Sequence, residues 1–171
     1  MQSVTVSTRS TVGGGYNGFW RSKKRYRVVK GGKGSKKSAT TALNIIYRMM
    51  KYKDANTLVV RQVMDTHRTS TFAQLKWAIS RLKVGHLWKS TVSPMEITYI
   101  PTGQKILFRG FDDVLKLAST TVESGYLCWV WIEEAYEIPS ESDFDKLDLS
   151  VPRGAVPKPL FKQTTITFNP W

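Results

Sequence analysis

One octapeptide constrains this chain more than any other stretch of it: Gly31-Gly32-Lys33-Gly34-Ser35-Lys36-Lys37-Ser38. It lies between Tyr26–Lys30, a run of β-branched and aromatic residues that reads as a strand, and a segment after Ser38 whose apolar Ala42, Leu43, Ile46, Tyr47 and Met50 recur at helical spacing. A glycine-rich turn feeding the start of a helix presents backbone N–H groups and the positive end of the helix dipole to one point, which suits an anion. The spacing approximates G-x-x-x-x-G-K-[ST], in which a lysine meets the β- and γ-phosphates and a hydroxyl meets Mg²⁺. Gly31 supplies the first position, Lys37 the lysine and Ser38 the hydroxyl, while Lys36 replaces the second glycine. A side chain there restricts the backbone.

The rest of the chain alternates strands and helices. A second strand is predicted at Thr57–Arg61 after the turn-prone Lys53-Asp54-Ala55-Asn56. A helix follows over Thr71–Lys83, with Phe72, Leu75, Trp77, Ile79 and Leu82 at its apolar positions. Glu96–Ile100 and Lys105–Arg109, joined by Pro101-Thr102-Gly103-Gln104, read as a hairpin, and Asp112–Leu117 as a short helix. Tyr126–Ile132 is apolar on both faces, as a central strand of a covered parallel sheet must be. Ser142–Leu149 reads as a helix, Val151–Pro159 as a Pro-rich connection and Thr164–Phe168 as a last strand. The pattern predicts an α/β fold with a mostly parallel central sheet flanked by helices and a small antiparallel insertion. Residues 1–15, ending in three glycines, are expected to be a flexible leader to a single domain over 16–171.

Charge points to a phosphate-rich partner. The first 61 residues hold 14 basic side chains and one acidic, and the last 51 hold four and eight. Such a block suits a nucleic acid backbone or a nucleotide, with a solvated basic face as the alternative. One Cys and two distant His exclude a disulfide framework and a zinc finger, and His67 and His86 are assigned no metal. Without an apolar run near the ~20 residues that span a bilayer, or a signal sequence, the chain is expected to be soluble and intracellular, with no membrane partner. Asp143–Asp148 and Asp112-Asp113 read as solvated helix starts, and Cys128 as inert packing.

Downstream of the loop, Leu127-Cys-Trp-Val-Trp-Ile-Glu133-Glu134 is an apolar strand that ends in two acids. Nucleotide hydrolysis needs a carboxylate for Mg²⁺ and another for the attacking water, roles that suit Glu133 and Glu134 respectively.

These stretches, with Leu58-Val-Val-Arg61, Phe72-Ala-Gln-Leu-Lys-Trp77, Gly103–Gly110, Trp129–Ala135 and Thr165-Ile-Thr-Phe-Asn-Pro-Trp171, closely resemble the N-terminal ATPase domain of the large terminase subunit of tailed bacteriophages, over residues 16–171. Two departures from the general pattern, Lys36 in place of the second loop glycine and Glu133 in the position normally held by Asp, both occur in that family. The resemblance implies an additional-strand, RecA-like P-loop ATPase that uses ATP and Mg²⁺. It implies translocation of double-stranded DNA into a procapsid in the host cell cytoplasm, by a ring of subunits docked on the portal protein and working with the small terminase subunit. It further implies that Thr167-Phe168-Asn169 is a coupling motif with Asn169 near the γ-phosphate or water, and that Arg61 acts around the phosphates. Lys33 stands where many relatives have Arg, which weakens a bidentate role. Adenine contacts are expected among Tyr16, Phe19, Trp20 and Arg21. A cation from a neighbouring subunit is expected from the sheet edge, with Arg68, Arg81 and Arg109 as candidates. The chain is expected to be an isolated ATPase domain without the family's nuclease, monomeric alone. A helicase or another P-loop nucleic-acid translocase, and a non-catalytic ATP/DNA-binding module, are the alternatives.

Overall fold

The computed structural model of the chain describes residues 5–150 and 154–170, so residues 1–4, residues 151–153 of the Pro-rich connection and Trp171 lie outside the described residues. Seven strands form one sheet: β1 (Tyr26–Lys30), β2 (Ala55–Arg61), β3 (Trp88–Val92), β4 (Met95–Tyr99), β5 (Gln104–Gly110), β6 (Tyr126–Glu133) and β7 (Gln163–Phe168), in the order β1-β7-β6-β2-β5-β4-β3. The first five in that order run parallel, and β4 and β3 add antiparallel to β5. The predicted hairpin is therefore part of a three-stranded meander. Its outer strand, β3, has the half-polar sequence Trp-Lys-Ser-Thr-Val of an edge strand, which carries little apolar periodicity.

The helices are α1 (Thr8–Val12), α2 (Asn17–Arg21), α3 (Lys37–Lys51), α4 (Thr71–Arg81), α5 (Val114–Ala118) and α6 (Glu141–Ser150). Two apolar cores cover the sheet. On one face Val59, Ile106, Phe108, Trp129 and Trp131 pack with Leu43, Ile46 and Met49 of α3 and Phe72 and Leu75 of α4. On the other, Leu58, Val60, Leu107, Val130 and Ile132 pack with Leu117 of α5 and Leu147 of α6. Adjacent residues of β2, β5 and β6 thus enter opposite cores, the physical reason their sequences are apolar without alternation. The register between β2 and β6 shifts at Asn56/Thr57, leaving Cys128 as an extra residue in a bulge. Cys128 is buried, and burial pushes its thiol up to about 11, so it stays protonated and inert.

Two expectations change. The helical periodicity puts Tyr47 on the buried face of α3, but it is exposed and packs on Trp20 with ring centroids 5.5 Å apart, while Ile45 and Met49 are buried. Trp77 of α4 is likewise exposed. The segment expected to be a flexible leader carries α1, capped by the Ser7 side chain, with Val12 buried in the first core. Arg27 and Arg48 account for the order of the next residues. Arg27 donates to the Phe19 carbonyl at 2.8 Å, and Arg48 to the Trp20 and Ser22 carbonyls at 3.2 and 2.7 Å. Both guanidiniums are buried, and desolvation lowers them to about 8 and about 10 respectively. No helix among the described residues is long and apolar enough to cross a membrane.

Candidate nucleotide site

The carboxyl ends of β1, β6 and β7 meet the start of α3, where open parallel sheets bind ligands. Gly31 N–H donates to the Phe168 carbonyl at 3.2 Å, which ties the loop to the end of β7. A Cβ on Gly31 would stand 2.7 Å from Ser35 Oγ, so a larger residue there would have to displace the Ser35 side chain. Gly34 and Lys36 both take left-handed conformations, with φ of 87° and 62°. The position that the general pattern gives to glycine therefore does ask for it, and Lys36 bears the strain. Its Nζ donates to the Thr11 carbonyl at 3.4 Å, so the N-terminal segment holds its charge. Gly32 and Lys33 are exposed. No side chain caps the start of α3, which leaves its first N–H groups and dipole open beside the loop.

Lys37 is buried, and its ammonium donates to Asn169 Oδ1 at 2.6 Å. Asn169 Nδ2 in turn donates to Glu134 Oε1 at 3.3 Å, so one amide bridges the lysine and the second acid. Ser38 Oγ donates to Glu133 Oε1 at 2.5 Å, and the Thr167 hydroxyl donates to Glu133 Oε2 while accepting from Trp131 Nε1 at 2.8 Å. Burial pushes the Glu133 carboxyl up, the Ser38 and Thr167 hydrogen bonds oppose that, and the neighbouring Glu134 adds to it. Glu134 sits in a left-handed conformation at φ 54°, a strained geometry that turns the chain out of β6. Lys37, Ser38, Glu133, Glu134 and Asn169 are thus brought together from three separate elements.

Arg61 is not part of that network. It pairs with Glu137 at 3.2 Å and donates to Ser70 Oγ at 2.9 Å. Ser70 nonetheless lines a cleft of about 460 Å³, together with Ser38, Thr71, Gln74, Trp131 and Glu133, so Arg61 stands behind its wall. Thr71 and Gln74 escape a reading of the sequence, because a polar pair three apart on a helix carries no signal of its own. Of the adenine candidates, Tyr16 hydrogen-bonds the loop, donating to the Ser35 carbonyl at 2.5 Å. Phe19 lies under the Arg27 guanidinium at 3.9 Å, and Trp20 and Arg21 line a separate cleft at the other end of α3. The candidates for a cation from the sheet edge need correction. Arg68 and Arg81 belong to the α4 region, and Arg109 lies on β5, which has a neighbour on each side, so none is on an edge strand.

Two buried oxygens, Glu134 Oε2 and Ser35 Oγ, have no hydrogen-bond partner. Leaving such atoms unpaired costs on the order of 1–3 kcal/mol each, and a bound ligand or water relieves it. The hard oxygen donors Ser38 Oγ and Glu133 suit Mg²⁺, and Lys37, the loop and the open helix start suit a polyphosphate.

Residues 23–171 match the family described as phage terminase large subunit. The terminase large subunit of Bacillus phage SPP1 is 45% identical over 130 residues, 76% of this chain and 31% of that protein, so the chain spans about a third of that relative's length. The large terminase of a thermophilic bacteriophage, solved also in complex with ADP, superposes with a TM-score of 0.64 at 14% identity over 88% of this chain and 36% of its own. The ATPase domain of the Thermus phage P74-26 large terminase superposes with a TM-score of 0.57 at 12% identity over 95% of this chain and 81% of its own. The mostly parallel sheet flanked by helices is the RecA-like fold of these ATPase domains.

Proposed function

Because the chain belongs to the phage terminase large subunit family, we propose that it is the ATP-hydrolysing part of a motor that translocates double-stranded DNA into a procapsid. The observation that carries this reading is the bridge Lys37–Asn169–Glu134 beside the pair Ser38–Glu133.

ATP is the substrate. The loop N–H groups, the α3 dipole and the Lys37 ammonium hold the β- and γ-phosphates, and Tyr16, bonded to the loop at the Ser35 carbonyl, is the adenine candidate this reading favours. Ser38 and Glu133 hold Mg²⁺, which when bound neutralises charge on the phosphate oxygens. Glu134, whose Oε2 lacks a partner, orients a water and accepts its proton as the water oxygen bonds to the γ-phosphorus. The bond from that phosphorus to the bridging oxygen breaks, and ADP and phosphate leave. Asn169 shares Lys37 with the γ-phosphate, so its hydrogen bonds differ before and after hydrolysis. That makes the end of β7 the element that reports the nucleotide state. Arg61 acts from behind the cleft, through Ser70 and Glu137. Duplex DNA, the portal protein, the small terminase subunit and the other subunits of a ring are the proposed partners, and the host cytoplasm the place of action.

Glu134→Gln should keep Mg²⁺-dependent ATP binding and reduce turnover by about 10²-fold or more, the size of a positioned base. Glu133→Gln should weaken the Mg²⁺-dependent binding as well. Equilibrium binding of a fluorescent ATP analogue with and without Mg²⁺, together with phosphate release, separates the two. Parent-rate turnover by Glu134→Gln would sink the assignment.

A further inference from the structure

We propose that the cleft at the carboxyl end of α3 binds backbone phosphates of duplex DNA. The cleft has a volume of about 490 Å³, and its charged lining residues are Arg21, Lys23, Arg48 and Lys51, with no acid among them. None of the four takes part in an ion pair among the described residues. The 15 residues of α3 place this cleft about 20 Å from the nucleotide loop, so it is a second site.

The aromatic residues of the cleft hold its cations in place. Lys51 Nζ lies 5.8 Å from the Tyr47 ring centroid and 5.6 Å from that of Tyr52, and Lys23 Nζ lies 5.7 Å from Tyr52 and 5.5 Å from Phe161. Such interactions steer an ammonium without neutralising it, so its charge stays available to an anion. Arg48 is buried, and its guanidinium is engaged by Gln163, Trp20 and Ser22, all neutral partners, so its positive charge is also uncompensated. Four cations outweigh the roughly half negative charge at the end of a helix.

A backbone phosphate fits this arrangement better than a free nucleotide does. Tyr47 already packs against Trp20 at a tilt of 40°, and Tyr52 meets Trp129 and Phe161 edge-on, so a base would have to displace a ring or a lysine. Point-charge lysines without a fork of fixed donors bind phosphate without reading sequence, as a translocating motor requires. The choice of DNA as ligand rests on the motor reading above; the phosphate chemistry of the cleft does not.

The test is fluorescence anisotropy of a short labelled DNA duplex across a range of salt concentrations, for the parent and for Lys23→Ala/Lys51→Ala. Both lysines are exposed, so the variant should fold, as circular dichroism checks. The slope of log K against log salt should fall by about 2 in magnitude, nearly one for each phosphate that is no longer neutralised. ATP turnover without DNA should match the parent, which keeps failure of this proposal distinct from failure of the hydrolase reading. An unchanged slope overturns the proposal. So does displacement of the duplex by a polyglutamate peptide of equal charge at equal potency, which would point to an acidic protein segment. In the unaltered protein, duplex should slow acetylation of Lys23 and Lys51 more than that of Lys116, and equal labelling also overturns the proposal.

Discussion

Lys36 and Lys37 are neighbours in sequence and opposites in structure. Lys37 is buried on Asn169, whereas Lys36 is exposed, left-handed and held by Thr11. Lys37→Ala should therefore abolish ATP hydrolysis and greatly weaken triphosphate binding, while Lys36→Ala leaves both close to the parent. Lys36→Gly should go further and stabilise the fold by about 1 kcal/mol, because glycine adopts this backbone without the Cβ clash. Titration with ATP and thermal unfolding of the three variants check both statements. If Lys36 proved the essential lysine, the register of the loop would be wrong. That register is legible from spacing alone, but nothing in the sequence tells that the Lys36 ammonium meets the Thr11 carbonyl.

At the scale of elements, the join between the turn before α4 and strand β5 depends on one histidine. His67 is buried, with Nε2 2.7 Å from the Arg109 carbonyl and Nδ1 2.6 Å from Thr71 Oγ1. A carbonyl only accepts, so Nε2 carries the proton and Nδ1 accepts from Thr71. Burial is the main cause that lowers this imidazole to about 4, with the Arg61 charge a smaller one. The unfolded chain takes up a proton near pH 6.5 and the folded chain does not until about pH 4. Stability from this site is therefore fully present above pH 6.5 and lost as pH falls, by about 2 kcal/mol at pH 5. Urea unfolding of the parent and of His67→Gln at pH 7 and pH 5 reads it, since the variant lacks this step. An equal loss in both would remove His67 as the cause. The sequence offers no role for His67, because its two partners are a residue one turn on and a carbonyl on a distant strand.

For the whole molecule, the site holds one cation in its network, Lys37, since Arg61 is engaged by Glu137. Charge that develops on the transferred phosphoryl group is then incompletely balanced within one chain, and an arginine from a neighbouring copy can raise such a rate by about 10³-fold or more. The isolated chain should be monomeric and bind ATP well but turn over slowly, with specific activity rising as concentration drives association. Light scattering together with turnover at increasing protein concentration tests this. High activity that does not depend on concentration would mean that one chain completes its own site.

What the sequence determined by itself is local: the glycine-lysine turn, the apolar runs, the periodicities of α3 and α4, and the acids that end β6. Each follows from residues a few positions apart, where backbone sterics and side-chain spacing act directly. The strand order was decided by tertiary structure, because any apolar strand can pair with any other until two covered faces must be filled together. So was the approach of Asn169 to Lys37 across 132 residues, and of Thr167 to Glu133 across 34. β3 escaped detection because its partner supplies the hydrogen bonds that its own composition does not demand. The docking of the N-terminal segment was hidden in the same way: Val12, Tyr16 and Trp20 have their places only against α3 with its buried Arg48 and against the buried Arg27 of β1.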